Sequence, residues 1–166
     1  LDPWLVTLLY VVGGLLGILG IPIGARLTNG WGRRPTLVVG VSLAVVAGVA
    51  YFWVPPDRGL LSFGLLAASY GVFNFGAQAQ GVAERCIETE LFPTHLRATY
   101  AGWRSLSEAV ARCVAQFSLA GLVHGLGDFS LAVSVLCLAT LLPSLAVFLA
   151  CAPETRGAGL EADTIG

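Results

Sequence analysis

The sequence predicts an all-α protein, a polytopic bundle of about five transmembrane helices. Hydrophobic residues make up 56% of the 166 residues and charged residues only 11%, whereas an ordinary soluble domain carries about 25% charged residues. The apolar residues gather in five runs that each reach the length of about 20 residues needed to cross a bilayer. None of the runs alternates polar and apolar residues with a period of two, as a transmembrane strand would.

The breaks between the five runs are short and turn-like: three are rich in Gly, Pro, Asn or Asp, and the one between the third and fourth runs is a corner over residues 88–97 with Pro93 inside. Four of the five runs contain no charged residue, namely 5–25, 36–54, 60–83 and 129–153. The remaining run, 98–126, contains Arg104, Glu108 and Arg112. We therefore expect one transmembrane domain over residues 1–166. The chain opens on Leu1 and contains no Met, which predicts a processed or truncated product.

Two local features predict how the helices pack and begin. Gly13, Gly17, Gly20 and Gly24 recur at three- and four-residue steps, which places them in one stripe where another helix can approach closely. A packing groove and a gating hinge both remain open as its role. Asp128 precedes the last run and can accept hydrogen bonds from the first N–H groups of its helix.

The arginines predict the orientation. Most of them fall at one set of helix ends, and Arg58 falls at the other. By the positive-inside rule the arginine-rich ends are cytoplasmic. We therefore expect a multi-pass protein of the plasma (inner) membrane, with its N-terminus outside and its C-terminus in the cytoplasm.

Three motifs stand at the predicted cytoplasmic ends, in the segments 27–35 (LTNGWGRRP), 90–97 (ELFPTHLR) and 153–157 (PETRG, followed by Leu160 and Glu161). In order, spacing and membrane side they resemble helices eight to twelve, the C-terminal half, of a major facilitator superfamily transporter. The nearest branches are the sugar porters and the organic-ion, metabolite:proton symporter-like carriers. The chain departs from the sugar-porter pattern at residues 81–85, which argues against a sugar substrate.

The resemblance implies a cytoplasmic gating network. In the family, charged residues of these three motifs hold the two halves together when the central cavity faces outward. The matching residues here are Arg33, Arg34, Glu90, Arg97, Glu154 and Arg156. The alternative is that these residues only anchor the topology. The resemblance also implies a missing N-terminal half as partner.

Charged residues in the fourth run predict a site inside the membrane. Arg112 lies near the middle of its run, and Glu108 lies one turn earlier on the same face. A charged residue at this depth must face protein or a water-filled cavity. One interpretation is a pair that neutralises itself. The other is a cavity site in which Arg112 binds an anionic group of the solute and Glu108 carries a proton.

The third run adds a polar face. Asn74 and Gln78 are four residues apart and share one side of the helix. Interhelical hydrogen bonding explains them as well as contact with a solute does. In the resembled fold this helix lines the cavity, so both residues are candidates for the solute site.

The sequence favours a secondary transporter of a small organic solute, coupled to protons and working by alternating access. A structural or regulatory membrane subunit without transport is the alternative. A membrane enzyme is disfavoured because His95 and His124 are the only histidines and both fall at loops. No phosphate-binding loop or metal-ligand spacing is present, so we expect no cofactor. The net charge of -1 does not indicate nucleic-acid binding, and the expected partners are the lipid bilayer, the solute and the proton.

Overall fold

A computed structural model describes residues 3–55 and 59–151, and its regular structure is entirely helical. The helices are α1 (Pro3–Gly30), α2 (Arg33–Trp53), α3 (Gly59–Leu91), α4 (Thr94–Leu126) and α5 (Phe129–Cys151). The predicted all-α transmembrane bundle is confirmed, because α1 to α4 are each long and apolar enough to cross a membrane. In α5 the apolar stretch with fully described side chains is shorter, covering Phe129–Leu141, so a fifth crossing stays a prediction.

The helices α3 and α4 extend beyond the apolar runs. Each has 33 residues and is therefore about 50 Å long, whereas the hydrocarbon core of a bilayer is about 30 Å thick. The break between them is confined to Phe92 and Pro93, although the sequence suggested a longer corner over residues 88–97. Proline ends the helix here because it disfavours helical backbone at the preceding residue. The charged residues around this corner are therefore fixed on helical turns.

Glycines determine how α3 packs between α1 and α2. The predicted stripe on α1 is confirmed as a packing groove, since all four of its glycines are buried. A Cβ atom on Gly20 would lie 2.5 Å from the carbonyl oxygen of Phe75 on α3. On the other side of α3, a Cβ on Gly76 would lie 2.7 Å from the carbonyl oxygen of Gly40 on α2. The backbone of α3 therefore touches the backbones of both α1 and α2 directly.

Helix α4 is the least enclosed element. It has no buried residue along Thr94–Leu126, and its principal neighbour is α5. Large apolar side chains such as Phe117 (80% exposed) project from it. A long apolar surface is therefore left for lipid or for another part of the protein.

Side-chain hydrogen bonds join α2 to α5 at one end of the bundle. The indole Nε1 of Trp53 donates to Ser134 Oγ at 2.8 Å. The hydroxyl of Ser130 donates to the carbonyl oxygen of Phe52, also at 2.8 Å. Arg33, Glu90 and the end of α5 lie at the opposite end of the bundle, which we call the arginine-rich end.

The predicted cap of α5 is confirmed. Asp128 Oδ1 accepts from the backbone N–H groups of Ser130 at 2.8 Å and Leu131 at 3.2 Å. These groups have no partner inside the helix.

We expect Asp128→Ala to lower the free energy of unfolding by about 0.5–2 kcal/mol, measured by denaturant titration in detergent. Asp128→Asn keeps an acceptor oxygen and should retain most of this stability, and an equal loss in both variants would contradict the assignment.

Candidate functional site

The arginine-rich end contains an ion pair between α2 and α3. Arg33 begins α2 directly after Gly32, whose φ of 112° allows the sharp turn out of α1. Its Nη2 donates to Glu90 Oε1 at 2.6 Å, and its Nε lies 3.1 Å from the same oxygen. The side chains of Arg33 and Glu90 are only 15% and 22% exposed. The pair is therefore largely removed from water and joins the start of α2 to the last turn of α3.

Arg33 also holds the end of α1. Its Nη1 donates to the carbonyl oxygen of Thr28 at 3.2 Å. That carbonyl belongs to the last turn of α1, where backbone oxygens have no partner inside the helix. One guanidinium therefore connects three helices at this end.

Two other arginines of the predicted network, Arg34 and Arg97, bind carbonyl oxygens at or next to helix ends. Arg34 donates from Nη2 to the carbonyl oxygen of Leu149 near the end of α5. Arg97 donates to the carbonyl oxygen of Thr89, in the last turn of α3, at 2.8 Å and to that of Phe92, directly after α3, at 3.0 Å. A cation at a helix C-terminus also interacts favourably with the helix dipole. The structure therefore brings Arg33 and Glu90 together as predicted, and it shows Arg34 and Arg97 as caps.

Two further residues of the predicted network, Glu154 and Arg156, lie outside the described residues. Their place in the network stays a prediction. The described members are already enough to connect the arginine-rich ends of α1, α2, α3 and α5 through side chains.

A second group of charges, which we call the charge ladder, consists of Glu88 on α3 with Arg104, Glu108 and Arg112 on α4. Arg104 Nη1 donates to Glu88 Oε1 at 2.6 Å, and Arg104 Nε lies 3.2 Å from Glu108 Oε1. The other carboxylate oxygen of Glu108 accepts from Arg112 Nη2 at 3.4 Å. The four charges alternate in sign, and successive members on α4 are one turn apart.

Arg112 and Glu108 form the predicted intrahelical pair. Arg112 lies about 27 Å from the start of α4 and about 21 Å from its end, near the middle of the helix. The side chain of Arg112 is 80% exposed and that of Glu108 is 46% exposed. A ligand can therefore reach both side chains, and the guanidinium of Arg112 is the more exposed of the two. Glu88 could not be recognised from the sequence, because its contact with Arg104 depends on the packing of two helices.

Asn74 and Gln78 lie against the glycine stripe of α1. The Cβ of Asn74 is 2.8 Å from the position that a Cβ on Gly17 would take, and the Cβ of Gln78 is 3.1 Å from the corresponding position on Gly20. The side-chain amide of Asn74 donates within its own helix, to the carbonyl oxygen of Tyr70 at 2.9 Å. These contacts favour the helix-packing interpretation for Asn74. Gln78 is exposed and remains available for a solute.

Aromatic side chains line a cavity of about 210 Å³ toward the end of the bundle opposite the arginine-rich end. Tyr70 packs against two other rings of the lining, with ring centroids 5.1 Å from Tyr10 and 6.0 Å from Tyr51. Phe52, Phe73 and Gly48 complete the lining. The sequence analysis missed this cavity, since the rings come from three helices and share no common spacing.

The comparison with known families gives one result. The sequence profile of the Major Facilitator Superfamily matches residues 1–116. No curated protein and no solved structure matches the chain. The matched region includes the ion pair of Arg33 with Glu90 and the whole charge ladder.

Proposed function

Because the chain belongs to the major facilitator superfamily, whose members are membrane transporters, we propose that it moves a small organic solute by alternating access. The chain would supply helices eight to twelve, the C-terminal portion of the transporter. The segments 27–35 and 90–97, which lie together at the arginine-rich end of the bundle, support this placement. The metabolite:proton symporter-like branch fits better than the sugar porters because of residues 81–85.

The arginine-rich end is proposed to face the cytoplasm of a plasma (inner) membrane, with the N-terminus of the chain outside. The proposed partner is the N-terminal half of the transporter. Support for this partner comes from α4, which has no buried residue and therefore offers a free face for a second half. The ion pair between Arg33 and Glu90 would act as part of the cytoplasmic gate.

The observation that carries the transport proposal is the charged pair halfway along α4. Arg112 and Glu108 stand on a helix that is otherwise apolar enough to cross a membrane. An ionisable residue at this depth indicates a substrate or ion pathway by default, because burying it in lipid is costly. A guanidinium matches a carboxylate in shape and charge, so the solute is proposed to be anionic.

Glu108 is proposed as the proton carrier. Its carboxylate is shared between Arg104 and Arg112. Adding a proton would remove the charge that attracts Arg112 and so release the guanidinium for the solute. Proton binding and solute binding would then favour each other, which is what symport requires. Gln78 is a further candidate for contact with the solute.

The test is uptake of a panel of small carboxylates into proteoliposomes that contain the full-length protein, with and without an inward proton gradient. We expect Arg112→Ala to lower uptake about tenfold or more, since a lost interaction with a charged group is worth about 1.5–3 kcal/mol. Glu108→Gln should abolish the response to the gradient. Arg85→Ala removes an exposed arginine on α3, outside the ladder, and should leave uptake unchanged.

Normal uptake and normal gradient dependence in both Arg112→Ala and Glu108→Gln would refute the proposed site. Absence of gradient-driven uptake for every solute, in a protein that is correctly folded, would favour the alternative of a structural or regulatory membrane protein.

A further inference from the structure

The bonds of the charge ladder weaken steadily from α3 toward Arg112. The N···O distance is 2.6 Å between Arg104 and Glu88, 3.2 Å between Arg104 and Glu108, and 3.4 Å between Arg112 and Glu108. Exposure rises in the same order, from 20% for the side chain of Glu88 to 80% for that of Arg112. A ligand can therefore reach the ladder at the end where its bond is weakest.

Glu108 is divided between two guanidiniums. One of its oxygens lies next to Arg104 and the other next to Arg112. Although Arg104 Nε lies 3.2 Å from Glu108, it is buried and makes no well-aligned hydrogen bond. A buried donor without an acceptor costs free energy. A small rotation of Glu108 toward Arg104 would satisfy this donor and, at the same time, release Arg112.

We propose that Glu88 and Arg104 are positioning residues for the solute site, and that they set the anion affinity of Arg112 through Glu108. The inference rests on the proposed function, because it takes Arg112 as the residue that binds an anionic solute. Arg104 competes with Arg112 for the carboxylate of Glu108, and Glu88 competes with Glu108 for Arg104. Each change along the ladder therefore alters how firmly Glu108 holds Arg112.

The same ladder connects the solute site to the arginine-rich end. Glu88 lies on the last turns of α3, two residues before Glu90, which pairs with Arg33. When a carboxylate occupies Arg112, Glu108 is free to bind Arg104 with both oxygens, and Arg104 then holds Glu88 less tightly. Solute binding in the middle of α4 would thus loosen a contact between α3 and α4 close to the proposed gate.

Competition predicts opposite effects from the two partners of a single ion pair. Glu88→Gln leaves Arg104 with Glu108 alone, draws Glu108 away from Arg112 and should tighten anion binding about threefold. Arg104→Gln leaves Glu108 with Arg112 alone and should weaken anion binding about three- to tenfold. A residue that served only to stabilise the fold would weaken binding whichever partner was changed.

Removing a negative or a positive charge would also raise or lower anion affinity, respectively, through the general electrostatic field. The two substitutions must therefore be repeated in a second protein in which the ladder is interrupted. Glu108→Gln interrupts the ladder and resembles the protonated carboxyl. In this background the Glu88 and Arg104 substitutions should change affinity by less than about 1.5-fold, because no shared carboxylate remains. A field effect would persist there. Arg85→Gln, an exposed charge on α3 outside the ladder, measures the size of the field effect alone.

The experiment is equilibrium binding of radiolabelled benzoate to the full-length protein in nanodiscs, with benzamide as the uncharged analogue of the same shape. Opposite effects of Glu88→Gln and Arg104→Gln that vanish with Glu108→Gln would establish the competition. Equal effects in both backgrounds, with binding still dependent on Arg112, would overturn this inference and leave the proposed function intact. Benzoate binding no tighter than benzamide binding, or unaffected by Arg112→Gln, would overturn the inference together with the anionic solute.

Discussion

Gly20→Ala should destabilise the contact between α1 and α3 by about 1–3 kcal/mol, the range for adding a methyl group to a well-packed interior. The new Cβ would lie 2.5 Å from the carbonyl oxygen of Phe75 and 3.1 Å from its Cα. Both atoms belong to the backbone of α3, so no side-chain rotation can relieve the overlap. Gly20→Leu adds a larger side chain at the same place and should prevent the two helices from associating.

Gly14 provides the matched control on the same helix. A Cβ at this position would meet no atom within 4 Å outside its own helical turns. Gly14→Ala should therefore be neutral, or stabilising by up to about 1 kcal/mol because alanine is the better helix former. The two alanine variants differ only in the position of one methyl group, which separates helix propensity from packing.

The free energy of unfolding can be measured by titrating the detergent-solubilised protein with SDS and following its helicity. Helix association in membranes depends on close van der Waals packing, so the lost contact should appear directly as a lower midpoint for Gly20→Ala. Equal midpoints for Gly20→Ala and Gly14→Ala would show that α1 and α3 do not pack through the glycine stripe.

Features with a period on one helix could be predicted from the sequence. The stripe of Gly13, Gly17, Gly20 and Gly24 was visible because its members recur on a single face of α1. The pairing of Glu108 with Arg112 was visible for the same reason, since residues four apart are neighbours on a helix. In these cases local geometry alone fixes the contact.

Features that depend on how two helices are rotated against each other could not be predicted. The ion pair of Glu88 with Arg104 joins residues on different helices, and neither spacing nor motif marks it. The same holds for the contact of Gly40 with Gly76, because the glycines of α2 and α3 do not recur at three- or four-residue steps. The bonds of Arg34 and Arg97 to backbone carbonyls likewise depend on where α5 and α3 end.

Breaking the ion pair between Arg33 and Glu90 should shift the transporter toward the state that is open at the arginine-rich end. The two side chains are 15% and 22% exposed, so water can only partly hydrate either charge once its partner has been removed. A hydrogen bond to a charged group contributes about 1.5–3 kcal/mol, which corresponds to a shift in the ratio of the two states of about 10- to 150-fold. Because the proposed gate breaks this pair when it opens, we expect Glu90→Gln and Arg33→Ala to favour the open state by up to this amount.

Cys113 offers a native reporter of the opening. It is exposed and lies one residue from Arg112 on α4. With the other three cysteines replaced by alanine, a membrane-impermeant maleimide applied at the arginine-rich face should label Cys113 faster in Glu90→Gln than in the parent protein. Labelling from the opposite face should become slower, because the two states exclude each other in alternating access.

Two controls separate a gate from a simple topological anchor. Arg26→Ala removes an exposed arginine near the same end of α1 and should leave both labelling rates unchanged. Arg33→Lys keeps the charge but loses the planar fork that holds Glu90, and it should give an intermediate shift. If Arg33 and Glu90 only fix the orientation, then Glu90→Gln, which leaves every arginine in place, should change neither rate. That result would contradict the gate, whereas opposite changes at the two faces could not arise from an anchor.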